Sequence, residues 1–177
     1  EEPLPAGGSC LLGSLNLAAF VDEDEWGPKF AFEDFEDAVE LAVVALNDVL
    51  DEGLPLHPLE EQRKSVADWR QIGLGIFGLA DMLIQLGCKY GSRDANILCH
   101  KIARTMATAA LRSSAKLAVE FGAYPKFNKG AVMSSEFFNE HFDDETWKLT
   151  DAFGLRNSQL LTIAPTGSLS TMLGVSG

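Results

Sequence analysis

Apolar positions recur along this chain with two different periods, and the change of period marks out its elements. From Phe32 to Leu50 the repeat is helical: Phe35, Val39, Ala42, Val43, Leu46, Val49 and Leu50 share one face, and carboxylates take the other. Gly53 and Pro55 end that helix. Pro58 to Ala67 predicts a short polar helix with Pro58 near its first turn. Leu79 to Leu86 is an apolar helix stopped by Gly87. Ser92 caps a long helix, rich in Ala and Leu, that runs to about Phe121 and stops at Gly122. Phe127 to Gly130 is a loop. Ser134 to Phe142 and Asp144 to Phe153 are two short helices, the first capped by Ser134 or Ser135 and the second by Asp143.

Three other stretches predict strands. Glu1 to Gly8, with two prolines and two glycines, is a loop, and Ser9 to Val21 then reads as a buried strand with a break at Gly13. Asp22 to Pro28 is an acidic surface turn. Arg70 to Gly78 holds the second strand, and Leu160 to Ala164 is a short apolar run that suits a strand buried on both faces. Three strands among many helices imply an α/β layer or barrel, yet are too few to close one. The chain starts at Glu1 without methionine and stops at Gly177 just after a helix start, so a piece of a larger fold is expected.

The last strand leads into the most suggestive stretch. Pro165 ends the ladder because it has no N–H to donate. Thr166, Gly167 and Ser168 are small, and Leu169 to Leu173 opens a helix with Ser168 as its cap. A strand, a glycine turn and a helix start gather backbone N–H groups at one point, which favours phosphate. The hydroxyls of Thr166, Ser168 and Ser170 add possible donors. An ordinary strand-to-helix turn has the same residues, so both readings stay open here. The stretch is not a P-loop: it lacks the G-x-x-x-x-G-K-[ST] spacing and has no lysine.

Bulk properties narrow the classes. With 177 residues, 46% hydrophobic and 23% charged, the chain suits one globular domain with a real core. A net charge of -12 argues against a nucleic-acid surface but leaves room for a small phosphorylated molecule. Cys10, Cys88 and Cys99 show neither a disulfide framework nor zinc spacing, which points to a reducing, cytoplasmic setting. No apolar run is long enough for a membrane span, and no signal peptide is recognised.

Several patterns compete for the chemistry. Gly73, Gly75 and Gly78 match G-x-G-x-x-G, and Asp94 follows at the spacing of a dinucleotide fingerprint. Asp68, Arg70 and Gln71 stand where a buried strand should precede it, so close packing of strand and helix is the simpler account. His57, His100 and His141 have no ligand partner at i+3 or i+4, and no metal is assigned. Asp22 to Glu25 lacks the spacing of a calcium loop. Arg156 and Asn157 either reach the phosphate turn or cap the preceding helix, with the structural role favoured. Cys88 and Cys99 are read as small buried hydrophobes, and Cys10, near the start of a predicted strand, is the thiol of interest.

Four stretches in order then resemble the catalytic barrel of the ribonucleotide reductase large (α) subunit: E-E-P-L-P-A-G-G-S-C-L-L-G-S-L-N-L at the start, R-Q-I-G-L-G-I-F-G-L-A-D from Arg70 to Asp81, L-R-N-S-Q from Leu155 to Gln159, and T-I-A-P-T-G-S-L-S from Thr162 to Ser170. The resemblance implies that residues 1–177 are a fragment of a single barrel domain, part of a ten-stranded α/β barrel, helix-rich with a few mainly parallel strands. It implies thiyl-radical reduction of ribonucleotides to 2'-deoxyribonucleotides. Glu1 matches the glutamate that takes the ribose 3'-OH proton, and Cys10 matches one of two reducing thiols. Ala164, Pro165, Thr166, Gly167, Ser168 and Ser170 match the substrate-phosphate segment. The radical cysteine is expected upstream, so the isolated chain is expected to be inactive. No cofactor is expected on this chain alone; adenosylcobalamin, or a separate metal radical subunit, would serve the full enzyme. Implied partners are the ribonucleotide substrate, the remainder of the catalytic subunit, a thiol reductant and a possible second copy, with neither nucleic acid nor membrane. The reading requires Glu1, Cys10 and the loop at Pro165 to Ser170 to share one pocket.

Overall fold

A computed structural model describes residues 4–9 and 11–177. The first strand, β1, spans Leu12–Asn16. It is shorter than the apolar run around it, because the Asn16 side chain accepts the Ala18 N–H at 3.1 Å and turns the chain into a 3-10 turn, Leu17–Phe20. Gly13 lies inside the strand and does not break it. The acidic segment expected as a plain turn is a hairpin, β2 (Val21–Asp24) antiparallel to β3 (Gly27–Phe30). Gly27, at φ 106°, takes a backbone conformation closed to most residues. Phe30 and Phe20 deliver their rings edge-on or tilted to Phe35, with centroids 5.4 and 5.2 Å away.

Helix α1 (Phe32–Gly53) buries Phe35, Val39, Val43, Leu46 and Leu50. Val49, expected on that face, is half exposed, and Asn47 is buried there instead. After α2 (Glu60–Trp69), which leaves Pro58 outside the helix, the chain turns at Arg70 with φ 46° and enters β4 (Gly73–Phe77). Then come α3 (Leu79–Gln85), the long α4 (Arg93–Phe121), α5 (Lys129–Met133), α6 (Glu136–His141), α7 (Asp144–Phe153) and α8 (Gly167–Leu173). Ser92 and Asp143 cap α4 and α7 as expected, accepting from Ala95 N and Thr146 N at 3.2 and 2.7 Å. The loop expected up to Gly130 gives way to α5 earlier, because the Asn128 side chain caps it at the Ala131 N–H. Ser135 stands at the start of α6 without a side-chain cap bond.

β4 is the central strand. β1 runs parallel to it, Leu12 opposite Gly73 and Asn16 opposite Phe77. On the other side lies the extended segment 159–162, also parallel through a bridge between Leu74 and Leu161. Ile72 N and Leu74 N donate to Gln159 O and Leu160 O at 3.1 and 2.8 Å, and Thr162 N donates to Leu74 O at 3.0 Å. The last strand is thus shorter than expected, and Ile163 is already exposed. Glycines make the layer thin. A Cβ on Gly73 would sit 2.6 Å from Thr162 Cγ2, and one on Gly75 would collide with the Thr162 carbonyl. The architecture is α/β with three parallel strand segments, and among the described residues the sheet does not close into a barrel.

The helices form a layer beside this sheet. Ala109, Ala110, Ser113, Ser114 and Ala115 are all buried on α4, and side chains of this size let α1 approach closely. Arg112 ties the outer side together, bonding Glu36 and Glu40 on α1 and Asp143 before α7. Burial opposes the charge on Arg112, but its carboxylate partners raise its pKa well above the ordinary guanidinium value.

Candidate functional site

At the leading end of the parallel strands, buried polar side chains bond one another, although Arg70 Nε finds no partner among the described residues. Asn47 and Asn157 exchange amide bonds of 3.1 and 3.0 Å, and Asn157 Nδ2 also donates to Arg70 O at 2.8 Å. Ser114 Oγ donates to Asn157 Oδ1 and receives the N–H groups of Arg156 and Asn157, all at 3.1 Å. Arg70 reaches Asn47 Oδ1 at 3.1 Å and grips both carboxylate oxygens of Asp51 at 2.5 and 2.9 Å. That grip holds the Asp51 carboxyl below the usual carboxylate range. Arg156 serves neither the phosphate turn nor the preceding helix: its guanidinium caps the end of α4, donating to Phe121 O and Gly122 O at 2.9 and 3.1 Å.

The trailing end is built differently. After Thr162 the chain leaves the sheet, and Pro165 excludes further pairing. Thr166 takes φ 51°, a left-handed conformation rare for a β-branched residue, and starts α8 two residues earlier than a Ser168 cap would. Ser170 N donates to Thr166 O at 2.8 Å. The backbone N–H groups of Gly167, Ser168 and Leu169 find no acceptor among the described residues. Gly167 and Ser168 are exposed, and Thr166 Oγ1 has no partner among the described residues. The Ser170 hydroxyl turns inward to Gly167 O at 3.1 Å.

Beside this loop stands the β4–α3 turn. Gly78, at φ 72°, packs against Asn16 where a side chain would not fit, and its N–H donates to Ser176 O at 2.7 Å. The Asp81 carboxylate accepts the Ser176 N–H at 2.7 Å, and Ser176 holds that carboxyl below its ordinary pKa. Neither Asp81 nor Ser176 was a candidate from sequence; the signal available was the aspartate closing the quoted R-Q-I-G-L-G-I-F-G-L-A-D stretch.

The dinucleotide reading does not survive. Gly73 and Gly75 lie within β4, where they let neighbouring strands approach, and not in the turn after a strand. The Gly78 N–H is already engaged, and Asp94 sits in the first turn of α4 instead of at a strand end.

Glu1 and Cys10 lie outside the described residues. Ser9 and Leu11, on either side of position 10, line a cavity of about 230 Å³ with Leu50, His57, Val66 and Gln71 at the leading end of the sheet. From there to the loop the chain distance along β4, Ile72 to Gly78, is roughly 20 Å. The described residues bring Ala164 to Ser170 together with Gly78, Asp81 and Ser176, and leave the neighbours of Cys10 at the opposite end. Cys99 lines a second, apolar cavity of about 350 Å³ between α4 and the sheet. Burial raises the pKa of its thiol, with a smaller contribution from Cys88. Among the described residues no helix is long and apolar enough to cross a membrane.

Comparison with known proteins adds the lineage. The family described as ribonucleotide reductase, barrel domain, matches residues 1–177. A vitamin B12-dependent ribonucleoside-diphosphate reductase of Thermoplasma acidophilum is 35% identical over 176 residues, covering 99% of this chain and 20% of that protein. One of Mycobacterium tuberculosis is 32% identical over 174 residues, covering 98% of this chain and 22% of that protein. A ribonucleoside-diphosphate reductase large chain of Encephalitozoon cuniculi is 33% identical over 177 residues, covering 93% and 22%. The chain therefore spans about a fifth of the length of these relatives. A central glycine-thinned strand, two parallel neighbours and a match along all 177 residues agree on one lineage: this chain belongs to the ribonucleotide reductase barrel-domain family.

Proposed function

We propose that this chain carries the substrate-phosphate loop and two catalytic residues of a ribonucleotide reductase large subunit. The observation that carries the reading is the set of N–H groups of Gly167, Ser168 and Leu169, which lack acceptors among the described residues and stand at the trailing end of a strand in this barrel family. Such donors suit a phosphate oxygen, which replaces the water they would otherwise need. Ala164 and Pro165 lead the chain out of the sheet, Thr166 sets the turn, and Ser168 and Ser170 complete the loop. The substrate is a ribonucleoside diphosphate, in keeping with the names of the relatives.

Chemistry at the ribose falls to Glu1 and Cys10. A thiyl radical elsewhere in the full enzyme removes the 3'-hydrogen while Glu1 takes the 3'-OH proton. The 2'-OH takes up a proton and leaves as water; after reduction Glu1 returns the 3'-OH proton and the radical cysteine returns the 3'-hydrogen, regenerating the thiyl radical. Cys10 and a second thiol supply two electrons and two protons and become a disulfide, which an external dithiol reduces again. Adenosylcobalamin would supply the initiating radical in the class named by two of the relatives. The apolar cavity beside α4 is within the drug-sized range and not that of a corrin, so no residue of this chain is assigned to hold cobalamin.

The test uses the complete reductase polypeptide containing this sequence. Cys10→Ser is expected to abolish multiple-turnover deoxynucleotide formation while substrate binding stays within about twofold of wild type. Glu1→Gln is expected to lower kcat by about a hundredfold with KM little changed. Inorganic diphosphate is expected to slow hydrogen exchange at residues 167–169. Full turnover by the Cys10→Ser enzyme, or no slowing at those amides, would overturn the assignment.

A further inference from the structure

The loop at Ala164 to Ser170 is anchored at both ends to the same strand–helix unit. Upstream, Thr162 N donates to Leu74 O at 3.0 Å. Downstream, α8 closes on Gly174, at φ 70°, with Val175 N returning to Ser170 O at 3.1 Å. Ser176 then bridges back: its carbonyl accepts from Gly78 N and its N–H donates to Asp81 Oδ2, both at 2.7 Å. Residues 175–177 thus return to the loop, and a Cβ added to Gly177 would meet Pro165 O, Ser170 Oγ and Thr166 Oγ1.

This clamp answers a mechanical need. Thr166 holds a left-handed turn that a β-branched residue adopts only under constraint, and its hydroxyl finds no partner among the described residues. Three neighbouring N–H groups also lack acceptors among the described residues. Left to itself, a seven-residue helix with an unfilled first turn would fray. The Asp81 carboxylate is held in the first turn of α3, and a charged acceptor forms a stronger bond than an amide oxygen.

We propose that Asp81 is a positioning residue for substrate phosphate: by holding Ser176 it fixes the orientation of the Ala164 to Ser170 loop without touching the substrate. The proposal rests on the phosphate reading of that loop. It separates Asp81 from the rest of α3, whose buried Met82 and Leu83 serve the core.

The complete reductase polypeptide is prepared as wild type, Asp81→Ala, Asp81→Asn, Ser176→Pro and the Asp81→Ala/Ser176→Pro double variant. Ser176→Pro removes the donated N–H and leaves the carboxylate in place. Inorganic diphosphate affinity, KM and kcat for a ribonucleoside diphosphate, and melting temperature are measured on each. Asp81→Ala is expected to raise the diphosphate Kd and the substrate KM about tenfold with kcat within about twofold, the size of one charge-assisted bond lost. Asp81→Asn recovers part of that loss, Ser176→Pro reproduces it, and the double variant is no worse than either. Unchanged affinity in both single variants overturns the proposal. Tighter binding by Asp81→Asn also overturns it, since the carboxylate would then be acting on the anion as a charge. So does a melting temperature that falls in step with affinity, which marks an ordinary fold contact. If wild type itself shows no diphosphate binding at the loop, the phosphate reading fails and this proposal fails with it; normal wild-type binding with insensitive variants sinks the proposal alone.

Discussion

The two ends of the parallel strands treat polar groups in opposite ways. At the leading end, Asn47 and Asn157 are buried and exchange amide bonds, with Arg70, Asp51 and Ser114 closing the set. At the trailing end, Gly167 and Ser168 are exposed, their N–H groups have no acceptor among the described residues, and Thr166 sits in a strained turn. Buried groups that bond one another fix one arrangement, because breaking one bond strands several partners. Exposed N–H groups at a surface stay open to water or to an anion. The same sheet therefore holds its register at one end and presents donors at the other.

The largest expected effect comes from breaking the leading end. Asn157→Ala removes bonds to Asn47, Ser114 and Arg70 at once and is expected to lower stability by about 3–5 kcal/mol in chemical denaturation. A loss below about 1 kcal/mol would mean the network is incidental to register. Next in size, Gly75→Ala places a methyl against the Thr162 carbonyl and pushes the last strand off β4. A loss of about 2–3 kcal/mol is expected, together with weaker diphosphate binding, since the same segment carries the loop. Normal binding in that variant would show that the loop does not depend on strand contact.

Smaller changes test the trailing end. Thr166→Gly relieves the left-handed turn and is expected to raise stability by about 0.5–1 kcal/mol while weakening diphosphate binding, read by thermal melts and titration. A gain in both would show that the strain serves nothing. The smallest effect is a pH dependence. The Asp51 carboxyl lies below its ordinary range when folded, so its stabilisation is present above the unfolded carboxylate pKa and is lost as pH falls through the folded value. With 51% of that side chain exposed, solvent screening keeps the effect under about 1 kcal/mol. Asp51→Asn is expected to flatten the acid limb of the stability curve by that amount, and an unchanged limb would remove Asp51 from the network's energetics.

Local rules made much of the fold legible. The long helix from Ser92 to Gly122 was bounded by its cap and its stop, because Ser92 accepts a first-turn N–H and Gly122 takes φ 82°. The strand at Gly73–Phe77 and the loop after Pro165 were also where apolar runs and proline put them. The hairpin at Val21–Phe30 was not, since alternating acids read as a solvated turn until Phe20, Phe30 and Phe35 pack beneath it. Asn47 was hidden in an apolar helix face, because partners distant in sequence, Arg70 and Asn157, help make its buried amide tolerable.

Sequence alone determined which residues are small, apolar, capping or breaking, and these act on neighbours a few positions away. That is enough for helix limits, for the thin glycine strand and for the lineage. Only the tertiary structure decided that Gly75 lies under the Thr162 carbonyl, that Arg156 caps α4, and that Asp81 reaches Ser176. Those contacts join residues 34 to 95 positions apart. Their energies exist only once the chain has paid the entropy of bringing distant segments together, so no local pattern encodes them.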